Sequence, residues 1–162
     1  MSNYDPTIED TYKKWLEVDG NRYLLNIWDS AGTEQFMGMR DRYFREGQGF
    51  VLVYSITSET SFIEALDIRK QIITSRVRDR DRDGVDDNDG TYDDNYYNDI
   101  PIVLVGNKCD LQDERQVGKF RAAHTANYEL RCPFIESSAK DAVNVEEIFR
   151  QTVRQLNPTA YR

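Results

Sequence analysis

Cysteine and histidine are scarce: the 162 residues hold two of the first and one of the second. That excludes a disulfide framework and any His/Cys metal centre of ordinary spacing. Cys109 and Cys132 read as reduced thiols of a cytoplasmic protein, and His124, in a polar helical stretch, reads as a surface residue. No run of about 18 apolar residues occurs, so no segment reads as a membrane span, and Met1 leads into polar residues rather than a signal peptide. An excess of basic residues is also missing. Twenty-one Lys and Arg face 29 Asp and Glu, for a net charge of −8, the wrong balance for neutralising nucleic-acid phosphates. The last residues, Pro158-Thr159-Ala160-Tyr161-Arg162, hold no Cys-a-a-X box and no basic cluster. They offer no direct membrane anchor, so attachment would need a partner or a further, lipidated tail. Lys13, Lys14, Lys70, Lys108, Lys119 and Lys140 are the lysines, and none precedes Ser or Thr. A Gly-x-x-x-x-Gly-Lys-Ser/Thr phosphate loop is therefore absent from these residues.

What is present reads a purine base. Asn107-Lys108-Cys109-Asp110 follows the apolar run Ile102-Val103-Leu104-Val105-Gly106. A carboxylate at Asp110 can accept both donors on the N1-H and N2-H2 edge of guanine. Adenine has no matching pair, so the carboxylate would be left unpaired. Asn107 can bond the base or tie neighbouring loops, and the Lys108 stem can lie over the purine plane. Taken alone, the four residues are also compatible with a polar turn after a strand. Three further segments stand in a meaningful order. Asp29-Ser30-Ala31-Gly32-Thr33-Glu34 follows the strand-like 23–28 and places a carboxylate and a glycine amide where a Mg²⁺-phosphate site needs them. Tyr4-Asp5-Pro6-Thr7-Ile8-Glu9-Asp10 offers the Thr7 hydroxyl as a Mg²⁺ ligand, and Glu136-Ser137-Ser138-Ala139-Lys140 can close over the base.

With these stretches the chain resembles the Ras superfamily of small GTPases, most closely its Rap branch. Met-Arg-Asp (39–41), Gly-Gln-Gly-Phe (47–50), Leu-Val-Tyr-Ser-Ile-Thr (52–57), Leu-Val-Gly-Asn-Lys-Cys-Asp-Leu (104–111) and Asp-Glu-Arg-Gln-Val-Gly-Lys (113–119) extend the match. The resemblance implies a GTP/GDP switch with Mg²⁺, worked by exchange factors and activating proteins. Thr7 and Asp29 would serve the metal and the Gly32 amide the γ-phosphate. Asn107, Lys108, Asp110, Ser138, Ala139 and Lys140 would hold guanine. Tyr4 through Asp10 would be the surface read by effectors. Thr33 stands where most of the family has the glutamine that orients the attacking water. The Rap branch shares this threonine, which implies slow unaided hydrolysis by Gly32-Thr33 and dependence on an activating partner.

The resemblance also exposes a gap. The family opens with a strand, a phosphate loop and a helix, whereas here Met1-Ser2-Asn3 leads straight into the first switch. That loop supplies amides, a lysine and a metal-binding hydroxyl. Losing about four such bonds, each worth roughly 1.5–3 kcal/mol, would weaken nucleotide binding ~10⁴-fold or more. The missing strand would lie between those near 22–28 and 50–55, leaving two inner edges unpaired. The expectation is a truncated product, splice form or gene-model fragment of a GTPase. The alternatives are a nucleotide-independent interaction module and a nonfunctional fragment.

The length suits one domain over residues 1–162. Alternating strand and helix patterns predict an α/β fold of the three-layer small-GTPase type with a mainly parallel sheet, N-terminally incomplete. The pattern predicts a hairpin (11–18 and 21–28) turning at Asp19-Gly20 and a strand over 49–56. A helix over 61–75, capped by Thr57 or Ser58, and a strand over 100–105 follow. A helix over 114–130, a strand over 133–136 and a last helix carrying Val145, Ile148, Phe149, Val153 and Leu156 complete it. Residues 79–99 hold nine Asp against two Arg, and read as a solvated acidic insertion loop. A weaker reading makes Asp79, Asp81, Asp83 and Asp87, around Gly84, the start of a Ca²⁺ loop. Position twelve of that pattern is Gly90 and not the bidentate Glu it requires.

Overall fold

In the computed structural model, residues 9–30, 37–82 and 100–156 are described. The chain opens with a hairpin of β1 (Glu9–Val18) and β2 (Asn21–Ser30). Asp19 and Gly20 make its two-residue turn with φ of 51° and 83°. Two consecutive left-handed residues give the primed turn whose twist matches antiparallel strands, and Val18 duly pairs with Asn21.

A second sheet carries β3 (Phe50–Ser55), β4 (Ile102–Asn107) and β5 (Phe134–Glu136), all parallel, in the order β3-β4-β5. β4 is the central strand, and Ile102 through Gly106 are buried along its whole length. This is why it reads as an unbroken apolar run rather than an alternating one. β2 and β3 belong to different sheets and are not hydrogen-bonded to each other.

Helices cover both faces of the parallel sheet. On one side, α2 (Glu59–Arg82) buries Phe62, Ala65 and Ile72 against Leu52, Tyr54 and Leu104. Ser58 is its cap: its Oγ accepts the Ser61 N–H at 3.1 Å. Of the two candidate caps, Thr57 instead pairs its hydroxyl with Ser55. α3 (Lys119–His124) continues as one widened, π-type turn over Thr125–Leu130 and joins the same core through Ala122, Ala126 and Leu130. On the opposite side, α4 (Val145–Leu156) packs Ile148 on Val103 and Val105. The same helix turns Val153 and Phe149 onto Leu16 and Val18 of the hairpin. One amphipathic helix thus spans both sheets.

Three expectations need correction. Helix α1 (Met37–Glu46) was not anticipated. It buries Phe44 in the main core, but its mixture of Met, Gly and Arg has no clean apolar stripe. The helix expected from 114 starts at Lys119, because Gln112–Glu114 form a separate 3₁₀ turn and Gly118 is extended. Finally, α2 runs on to Arg82, so 79–82 are helical where an acidic loop was expected. Residues 83–99 lie outside the described part of the chain.

Candidate guanine-base site

β4 ends at Asn107, and the chain then turns sharply through Lys108, whose φ is 63°. This left-handed residue sends the backbone away from the sheet, and Leu111 N–H closes the turn on the Lys108 carbonyl at 2.9 Å. Asp110 is half-buried on the inner side of this turn while Lys108 is exposed.

The loop after β5 folds against it. Ser137 and Ser138 are buried. Ser137 N–H donates to the Gly106 carbonyl at 2.8 Å, and Cys109 N–H donates to the Ser137 carbonyl at 3.0 Å. Those two bonds continue the strand pairing past the sheet's edge and lock the two loops in register. Ser138 Oγ donates to Asp110 Oδ1 at 2.7 Å and itself accepts the Asp141 N–H at 3.1 Å. A hydroxyl donating to a charged carboxylate makes a strong, short bond. It fixes one carboxylate oxygen and leaves Asp110 Oδ2 able to accept from a ligand. Asn107 Oδ1 receives the Ala139 N–H and the Ser137 hydroxyl, each at a long 3.4 Å. Asn107 therefore ties the two loops, and its amide NH₂ is without a partner among the described residues. The turn is completed by Ser138 and Val143, which exchange both backbone bonds at 2.9 and 3.2 Å. Lys140 is exposed on it.

An ion pair lies beneath these loops. Arg115 directs NH1 and NH2 to the two oxygens of Glu136, both at 2.7 Å. Only 18% and 8% of the two side chains is exposed. The bond to Glu136 holds the Arg115 guanidinium above its ordinary pKa, more strongly than burial lowers it. Both residues sit in stretches that sequence inspection had marked, but pairing across 21 positions is a tertiary fact with no local signal.

The structure thus brings Asn107, Asp110, Ser138 and Ala139 together, with Lys108 and Lys140 exposed at the rim. Asp29 is exposed on β2, in the other sheet, with Asp10 as its strand neighbour and no hydrogen bond to the base-side loops. Glu9 and Asp10 lie in β1. Tyr4, Asp5, Pro6, Thr7, Ile8, Gly32, Thr33, Asp83 and Asp87 lie outside the described residues. Asp79 and Asp81 lie on the helical backbone of α2. Among the described residues no cluster of three metal-ligating side chains occurs. The turns after β4 and β5 thus present a carboxylate, an amide and a hydroxyl side by side, and of the Mg²⁺ candidates only Asp29 falls among the described residues.

The model of the Ras family matches residues 1–158.

Proposed function

Since the chain belongs to the Ras family of small GTPases, we propose that it reads guanine nucleotides as a Rap-type switch protein, with the base held by the turns that follow β4 and β5. The observation that carries this reading is the Asp110 carboxylate. It is half-buried, anchored through one oxygen by Ser138, and open at the other. Guanine supplies two donors to such a group and adenine does not. When bound, Mg²⁺ would neutralise phosphate charge, with Asp29 and Thr7 as its protein contacts. Asn107 would donate to the base, Lys108 would cover its plane, and the Ala139 and Lys140 turn would close the rim. The threonine at position 33 accords with the Rap branch and with slow unaided hydrolysis. Tyr4 through Asp10 is the segment for effectors, and exchange and activating proteins are the partners such a switch requires. The chain acts in the cytoplasm.

Titration of GDP and GTP with Mg²⁺, against ATP, tests the proposal. Guanine-selective saturation, at whatever concentration, supports base reading. A folded sample that discriminates neither nucleotide would refute base reading and favour a nucleotide-independent interaction module.

A further inference from the structure

We propose that Arg115 and Glu136 are positioning residues for base recognition, a clamp that sets the distance between the Asn107–Asp110 turn and the Ser137–Lys140 turn. This rests on the guanine-base reading above. The clamp belongs to neither turn's ligand-facing surface; it acts through the backbone on which both are built. Glu136 is the last residue of β5, directly before Ser137, which binds Gly106 and Cys109.

On the other side, all three nitrogens of the Arg115 guanidinium are engaged. Nε donates to Gln112 Oε1 at 3.0 Å, NH1 to the Val117 carbonyl at 2.9 Å, and NH1 and NH2 to Glu136. Gln112 in turn donates its Nε2 to the carbonyl of Cys109, between Lys108 and Asp110, at 2.6 Å. A continuous chain of bonds therefore runs from the base-reading turn through Gln112 and Arg115 to the end of β5. A second branch ties the same segment to the sheet: Gln116 and Val117 N–H both donate to the Ile56 carbonyl, and Ile56 N–H donates to the Asn107 carbonyl at 3.1 Å.

The chemistry explains why this pair and not another could do it. A guanidinium and a carboxylate meet as two parallel bonds, which fix orientation as well as distance. A lysine would keep the charge but not the fork. Among the direct contacts between the turns, Ser138 Oγ to Asp110 Oδ1 is short at 2.7 Å and the backbone bonds of Ser137 are ordinary, but those of Asn107 Oδ1 are long, 3.4 Å from both donors. Bonds of that length do little to set the position of Asn107. The short, nearly buried pair below adds a second fixed distance between the segments that carry the two turns.

The test compares Arg115→Lys and Glu136→Gln with Arg154→Ala, which removes an ion pair at the far end of α4. Hydrogen exchange of the Cys109, Ser137 and Ala139 amides is read by mass spectrometry or NMR at matched global stability. GDP affinity is read alongside. The clamp predicts at least about tenfold faster exchange at those amides in both clamp variants, and none in Arg154→Ala. It also predicts about tenfold weaker GDP binding wherever the parent chain binds GDP. Equal exchange in clamp and control variants overturns the proposal, as does unchanged GDP affinity in a binding-competent protein. If the parent chain fails to bind GDP while the clamp variants still loosen the site amides, base reading falls and the clamp stands.

Discussion

A single missing Cβ shapes the last turn of the parallel sheet. Gly106 pairs with Tyr54 across β3 and β4, and a methyl there would lie 2.7 Å from the Tyr54 hydroxyl and 2.9 Å from its ring. Tyr54 is fully buried, and its hydroxyl has no hydrogen-bond partner among the described residues. Burial, with the Glu136 carboxylate as a second cause, pushes its pKa far above the ordinary tyrosine range. Gly106→Ala should cost about 1–3 kcal/mol of stability by overpacking, read as a lower midpoint in thermal or urea unfolding; an unchanged midpoint would mean the sheet relaxes freely. Cys132 gives a second prediction at this scale. Burial pushes its thiol up to about 11 from 9.0. Because the folded-state value is raised, its contribution is fully present below pH 9 and fades as pH rises through 11. The loss should be on the order of 2–3 kcal/mol, and Cys132→Ala should flatten the stability profile in that window. Asp110→Ala should abolish discrimination between GDP and ADP, because the acceptor that distinguishes the bases is gone.

Among the elements, α2 shows how a capping side chain and a strand end cooperate. Ser58 caps the helix, while Ser61 Oγ reaches back to accept the Ser55 N–H at 2.9 Å and to donate to the Ser58 carbonyl at 2.8 Å. The start of the helix is thereby stitched to the end of β3. Ser58→Ala should cost about 1 kcal/mol, and amide exchange should rise first in the opening turn of α2. Much of this element level was legible beforehand. The hairpin turn at Asp19-Gly20, the buried run of β4 and the apolar face of the last helix each carry a strong local signal. The extension of α2 through Arg82 was not, since aspartate and arginine alternate there without an apolar face. Helix α1 was hidden for a related reason: it is held by Phe44 in the core and by contacts such as the 5.1 Å pairing of Tyr43 with Trp28, not by its own propensity.

For the whole molecule, α4 joins the cores of the two sheets, beside α1, whose Tyr43 meets Trp28 of the hairpin. Its Ile148 belongs to the parallel sheet's core and its Val153 to the hairpin's. Ion pairs from Lys14 to Glu146 at 3.6 Å and from Arg154 to Asp19 at 3.3 Å add to the hairpin side, but exposed pairs contribute little. Val153→Ala should therefore loosen β1 and β2 selectively, at a cost of about 2 kcal/mol. Native-state hydrogen exchange would show the hairpin opening before β3–β5; uniform loosening would mean the sheets are coupled by more than this helix.

The sequence by itself determined which donors and acceptors stand in the two turns. Asn107, Asp110 and Ser138 are legible because residue identity dictates which donors and acceptors are available. It also determined that a Lys-Ser/Thr phosphate loop is absent from these residues, since a motif is a local string. Only the tertiary structure decided that Ser138 anchors Asp110, that Arg115 grips Glu136 beneath the two turns, and that the strands divide into two sheets bridged by α4. Those are distances between residues far apart in the chain. They follow from how elements pack, which no local pattern encodes.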